Sequence, residues 1–172
     1  MDKAKPLGYV QSWHINRLGG TDMAVDMQGE ERIGAPIEKV WEALNDVEML
    51  KACIPGCESL EKKSDTELAA IVALKIGPIK ARFAGEVELR NLNPPTSYEI
   101  FGEGKGGVAG FAKGGADVSL AQDGPDVTIL TYTAKADVGG KIAQLGSRLI
   151  QSTSKKLAAQ FFADFNKKVS AG

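Results

Sequence analysis

At 172 residues, 43% of them hydrophobic, the chain is the size of one globular domain able to bury a sizeable core. Its net charge of −1 and pI near 5.9 give no global attraction to nucleic acid, and its apolar runs stop far short of the ~18–20 residues that would cross a bilayer. Two cysteines and one histidine are too few for a zinc site and leave no imidazole base inside the patterned part of the chain for a Ser–His or Cys–His nucleophile.

Residues 1–22 mix Pro6, Gly8, Trp13, His14 and Gly19-Gly20 without a sustained period and read as a loosely ordered extension. Met23 and Met27 are alternative starts that would place this stretch outside the native protein, and a tether built on Val10, Trp13 and Ile15 is the functional alternative. The N-terminus lacks a charged-then-apolar signal pattern, so a cytoplasmic location is expected, with peripheral contact at the inner face of the membrane as its extension.

The patterned domain occupies residues 23–172. A short, mixed first strand over 23–33 leads into Gly34-Ala35-Pro36, where Pro36 suits the first position of a helix marked by Val40, Trp41 and Leu44. Asn45-Asp46 breaks it, a second short helix runs over 47–53, and Pro55-Gly56 turns the chain into a second strand.

Strands then follow at period two. Leu68, Ala70, Val72, Leu74 and Ile76 share one face of the third, and Ile79, Ala81, Phe83, Gly85, Val87 and Leu89 share one face of the fourth. Tyr98, Ile100, Gly102 and Gly104 continue that inward set on the fifth, Ala112, Gly114, Ala116, Val118 and Leu120 on the sixth, and Leu130, Tyr132, Ala134, Ala136 and Val138 on the seventh. Charged residues take the outward face.

The last element reads as one long helix over 139–169. Ile142, Leu145, Leu149 and Thr153 form one stripe, and Leu157, Phe161, Phe165 and Val169 drift to another, so the two halves should bury against different surfaces. The first half is expected to roof the sheet, and the second to lock the helix to the domain or a partner. Gly146 and the polar run Gln151-Ser152-Thr153-Ser154 sit near the change of face, where the helix is easiest to deform, and the change near Ser152 is the place to expect a gate.

The inward face is rich in Ala and Gly, which points to a hollow; the alternative is that small residues permit close backbone approach. A cavity would be lined by Leu74, Phe83, Gly85, Tyr98, Gly102, Gly114, Ala116, Tyr132 and Ala134 from the sheet and by Leu145, Leu149 and Thr153 from the helix. Its few polar groups predict a mainly apolar ligand with one or two oxygens, such as a quinone, isoprenoid or fatty acid.

Several stretches carry a family resemblance. Gly29-Glu30, the run from Ala35 to Trp41, Leu44-Asn45-Asp46, the run Leu50-Lys51-Ala52-Cys53-Ile54-Pro55-Gly56-Cys57-Glu58, and Gly77-Pro78-Ile79-Lys80-Ala81 together resemble the carbon monoxide dehydrogenase G-subunit family. That family falls in the START/Bet v 1-like (SRPBCC) superfamily. The resemblance implies an α+β helix-grip fold: a curved antiparallel seven-stranded sheet around a long C-terminal helix, with two short helices after the first strand. It also implies a non-catalytic accessory protein of molybdenum hydroxylases of the carbon monoxide dehydrogenase type. Such a protein requires no cofactor, carries a quinone or lipid and links the enzyme to the membrane; an assembly or recruitment factor without a ligand is the alternative. An aromatase- or cyclase-like enzyme on this fold would need an inward acid or base, and none appears in the expected lining.

Two further features bear on membrane contact. Lys141, Arg148 and Lys155 recur at seven-residue spacing on the last helix, as a basic face or simply a solvated one. Val108 and Phe111 flank Ala109-Gly110 as an apolar tip, a candidate cavity mouth or membrane-touching loop. Cys53 and Cys57 are read as buried structural thiols, with a reversible disulfide as the minor alternative.

Overall fold

The computed structural model describes residues 23–171. The 1–22 extension, with His14 and the Val10, Trp13 and Ile15 tether, lies outside the described residues.

The chain forms β1 (Met23–Ile33), α1 (Ile37–Leu44), α2 (Val47–Cys53), β2 (Cys57–Lys62), β3 (Glu67–Ile76), β4 (Ile79–Asn93), β5 (Ser97–Lys105), β6 (Phe111–Gln122), β7 (Thr128–Gly139) and α3 (Ser147–Ala171). Short 3-10 turns lie at Gly107–Ala109 and Lys141–Leu145. The seven strands make one sheet in the order β1-β7-β6-β5-β4-β3-β2, antiparallel throughout, so that the first strand joins the last of a meander. Register follows the alternation of apolar residues: Leu68 lies opposite Val87, Leu89 opposite Ile100, Ile100 opposite Ala116, and Leu120 opposite Leu130. A slip of one residue would turn all of these to solvent.

The two short helices are set by their ends. Pro36 occupies the N-cap of α1, one residue earlier than its sequence position suggests, with φ −63°. The Ile37 N–H donates to Gln122 Oε1 at 2.9 Å, fixing the helix to the end of β6. Asp46 caps α2, its carboxylate accepting from the Glu48 and Met49 N–H groups at 3.0 and 3.3 Å. The elbow between them is held by Asn45 Nδ2, which donates to the Trp41 carbonyl at 2.9 Å.

The final helix is shorter than its periodicity suggests. Residues 141–145 form a 3-10 turn, Gly146 takes φ +97°, and α3 begins only at Ser147. A left-handed φ cannot sit inside an α-helix, so the break falls at Gly146, and the helix is uninterrupted through Ser152, where the pattern predicts a bend or gate. Its 25 residues span about 37 Å at ~1.5 Å per residue.

α3 packs chiefly along β1. Gln151 Nε2 donates to the Asp26 carbonyl at 2.7 Å, and fifteen residues on, Asn166 Oδ1 accepts from the Gly34 N–H at 2.9 Å. The helix therefore lies towards one margin of the concave face, and α1 and α2 cover part of the rest. Two hydrophobic clusters result. One gathers Ile33, Val40, Leu44, Tyr98, Val118, Leu130, Phe165 and Val169. The other gathers Val25, Phe83, Ala109, Val138, Ile142 and Ile150 around the opposite end of the sheet.

Candidate functional site

A hollow of about 330 Å³ lies at the first of these ends. The sheet contributes Leu68, Val87, Leu89, Tyr98, Ile100, Ala116, Val118, Leu130 and Tyr132 to its wall; the α1–α2 elbow contributes Leu44, Asn45, Val47 and Leu50; α3 contributes Phe161 and Phe162. Lys62 and Asp65, both exposed, mark its outer side beside the β2–β3 turn. The buried side is formed by Leu44, Tyr98, Val118 and Leu130.

One wall is aromatic. Tyr132 stacks on Phe162 at 5.5 Å between ring centroids, Phe162 meets Phe161 edge-on at 5.1 Å, and Phe161 stacks on the fully buried Phe165 at 5.7 Å. Gly29 of β1 makes room for the Tyr132 ring: a Cβ there would stand 2.7 Å from the ring and its hydroxyl. The opposite aromatic pair is Trp41 and Tyr98, edge-on at 5.4 Å. Such pairs add ~0.5–1.5 kcal/mol beyond the area they bury and hold each ring in place.

The polar chemistry is sparse. Burial pushes the Tyr98 phenol well above its ordinary value, and burial together with the Glu31 carboxylate raises that of Tyr132. Both remain neutral donors at physiological pH. Glu31 itself lies on the concave-face register, opposite Leu130, and is half-buried. Glu31 does not border the hollow, whose charged residues are the exposed Lys62 and Asp65; the mixed pattern of the first strand conceals its inward position.

Of the residues expected to line a cavity, the structure brings Tyr98, Ala116 and Tyr132 to this one. Leu74 and Phe83 belong to the second cluster. Leu145 and Leu149 sit under the β3–β4 turn, where a Cβ on Gly77 would be 2.8 Å from Leu149 Cδ2. Gly85, Gly102 and Gly114 border shallow depressions of about 500 Å³ shared with the charged outer face, among Glu86, Glu103 and Lys113. Ala134 and Thr153 do not border the hollow. The second half of the helix thus takes both roles, Phe161 walling the cavity while Phe165 and Val169 lock the helix into the core, and the stretch with Leu145 and Leu149 clamps the far hairpin instead of roofing the cavity. The wider outer depressions are open and charged, and the hollow is the enclosed apolar space among the described residues that has the character of a small-molecule site.

Val108 and Phe111 lie at the β5–β6 connection, at the opposite end of the sheet from Tyr98 and Leu130, and so are not the mouth of the cavity. Val108 is 86% exposed. Lys141, at the β7–α3 connection, and Arg148, in the first turn of α3, belong to the same end; Lys155 lies two turns further along the helix. Three stretches meeting there, residues 73–85, 104–116 and 138–163, contain no Asp or Glu.

Both cysteines are free thiols. Cys53 is buried against Met49, with sulfurs 4.0 Å apart, and the Cys57 thiol donates to the Ser59 carbonyl at 3.3 Å. Burial raises both thiols above their ordinary value, which favours the protonated form; Cys57 is half-buried, so the expectation of two buried thiols holds for Cys53 alone. Gly56 between them docks on β3, its carbonyl accepting from the Ala73 N–H at 2.8 Å. Among the described residues no helix is long and apolar enough to cross a membrane.

The sequence model of the carbon monoxide dehydrogenase G-subunit (CoxG) family matches residues 29–170. A conserved protein from Geobacillus kaustophilus, known from its crystal structure, is 31% identical with a TM-score of 0.80, over 85% of this chain and 95% of that one. A START superfamily protein from Mycobacterium smegmatis is 14% identical (TM-score 0.63, over 85% and 97%), and the ZhuI aromatase/cyclase from Streptomyces is 10% identical (TM-score 0.66, over 86% and 94%). The last two show the fold alone, which is START-like. No curated protein matches.

Proposed function

Because the chain belongs to the carbon monoxide dehydrogenase G-subunit (CoxG) family, we propose that it is a non-catalytic accessory protein that carries a quinone or lipid for a molybdenum hydroxylase of the carbon monoxide dehydrogenase type and links that enzyme to the membrane. The observation that carries this reading is the apolar hollow of about 330 Å³ between the sheet, the α1–α2 elbow and Phe161-Phe162. An unfilled apolar void destabilises a core, and this one lies at the lower end of the ~300–1,000 Å³ range of small-molecule sites. It suits a ring head group and a short piece of tail, the remainder leaving past Lys62 and Asp65.

The membrane link is supported by the other end of the molecule. Lys75, Lys80, Lys105, Lys141 and Arg148 are exposed there, with Val108 projecting among them and no acid in the three stretches that carry them. Such a surface is attracted to anionic lipid headgroups.

Organic-solvent extraction of the purified protein followed by mass spectrometry, and titration with a soluble quinone read by Trp41 fluorescence in a Trp13→Phe background, test the carrier role. The expected result is a co-purifying quinone or lipid and saturable quenching. An empty extract together with no saturable quenching would leave recruitment of the enzyme as the function.

A further inference from the structure

Tyr98 is the exception among the buried polar side chains. Thr128, fully buried, donates its hydroxyl to the Ala35 carbonyl at 2.7 Å, whereas the Tyr98 side chain, 6% exposed, has no hydrogen-bond partner among the described residues. Leaving a buried hydroxyl unpaired costs stability that a phenylalanine would not cost. Its ring is fixed edge-on to Trp41, and the space it borders is the apolar cavity.

Resting on the carrier reading above, we infer that the Tyr98 hydroxyl is the donor that selects ligands by a neutral carbonyl oxygen, holding the head group at the buried side of the cavity. The donor fits a neutral acceptor. A carboxylate brought beside Tyr98 would lose its hydration for a single hydrogen bond, since the cation in the lining, Lys62, stands on the exposed side. A hydrocarbon would leave the hydroxyl as unpaired as before. The Leu44, Val118 and Leu130 side chains around Tyr98 offer no competing polar group; the Asn45 amide is engaged by the Trp41 carbonyl and Tyr132 is half-buried on the aromatic wall, so selection on the buried side falls to Tyr98.

The experiment compares 2-methyl-1,4-naphthoquinone with 2-methylnaphthalene, the same ring system without the carbonyls, on the full chain and its Tyr98→Phe variant. Tyr98→Phe should weaken the quinone about fivefold, the value of one neutral hydrogen bond, leave the hydrocarbon unchanged, and leave the ligand-free unfolding midpoint equal or higher. Equal quinone affinity in the two proteins, a parallel loss for both probes, or a lower ligand-free midpoint for Tyr98→Phe would overturn the inference. If the wild-type chain binds both probes and the variant matches it, the cavity stands and the selecting residue is wrong. If the wild type binds neither probe, the carrier reading falls and the inference falls with it.

Discussion

The two ends of the concave face are built from opposite kinds of residue, and the hollow lies where the side chains are large. At the far end, Gly104, Gly106, Gly114, Ala134 and Ala136 leave no usable space. The Phe83 ring lies on Gly106, where a Cβ would stand 2.5 Å from the ring, and a Cβ on Gly114 would collide with the Lys135 carbonyl. At the near end, Leu89, Tyr98, Ile100, Val118 and Leu130 rise from the sheet and touch the helices only around the rim of the hollow, as Tyr98 does at Trp41, because α3 lies along β1 and the α1–α2 elbow bridges from the other side. Small residues close a structure by letting backbones approach; a cavity needs elements held apart, and large residues on the elbow and helix do that.

The sharpest break of this contrast uses two glycines that look alike in the strand pattern. Gly114→Ala places its Cβ against backbone of β7, which cannot move without disturbing the β6–β7 ladder. A loss of about 3 kcal/mol or more in urea unfolding is expected. Gly85→Ala meets nothing nearer than 3.6 Å, and its effect should stay within about 1 kcal/mol of neutral. Equal losses at both positions would mean that close approach is not what Gly114 supplies.

The functional contrast between the ends is broken next. Lys105→Glu combined with Lys141→Glu should lower binding to phosphatidylglycerol vesicles by at least the ~1 kcal/mol that each cation contributes near an anionic surface, with quinone affinity untouched. Ala116→Phe should do the reverse. It fills the hollow from β6, so quinone binding should fall at least tenfold, about 1.4 kcal/mol, while vesicle binding and the unfolding midpoint hold. Loss of vesicle binding in Ala116→Phe would place membrane contact at the cavity end instead.

The faces of β3 to β7 are legible in the sequence because alternation at period two survives even where the residues are small: every inward residue from Leu68 to Val138 sits on the predicted side. The Asn45-Asp46 break and the succession of seven strands are legible for the same local reasons, whereas the pairing of β1 with β7 is a long-range contact that no local pattern shows. The cavity is less so. Which inward residues border it depends on where α3 crosses the sheet, and a 3.6-residue stripe fixes the buried side of a helix without fixing its lateral position. Phe162 escapes the pattern because it sits beside the Phe161–Phe165 stripe, and its partner Tyr132 over Gly29 is a contact across two strands. Gly146 is legible as one of two places where the helix deforms easily, but the pattern does not choose between it and the polar run at 151–154; its positive φ makes it the point where the helix begins.

The smallest expected effect separates the buried hydroxyl of the near end from the rest of the core. The Tyr98 phenol is raised from its ordinary value of 10.0 by burial, with no charge partner contributing. Raised in the folded state, it contributes stability that is fully present below pH 10 and is lost as pH climbs from there towards the folded value, because the unfolded chain releases this proton first. Tyr98→Phe removes that loss. The difference between wild type and variant should therefore shift in favour of the variant by about 0.4 kcal/mol on going from pH 8 to pH 10, steepening towards about 1.4 kcal/mol per pH unit above it. Cys53, Cys57 and Tyr132 are raised in both proteins and cancel from the comparison. Urea midpoints at pH 8, 9, 10 and 10.5 would follow it, and a constant difference across that range would mean that Tyr98 ionises as freely in the folded chain as in the unfolded one, which a side chain this deeply buried does not do.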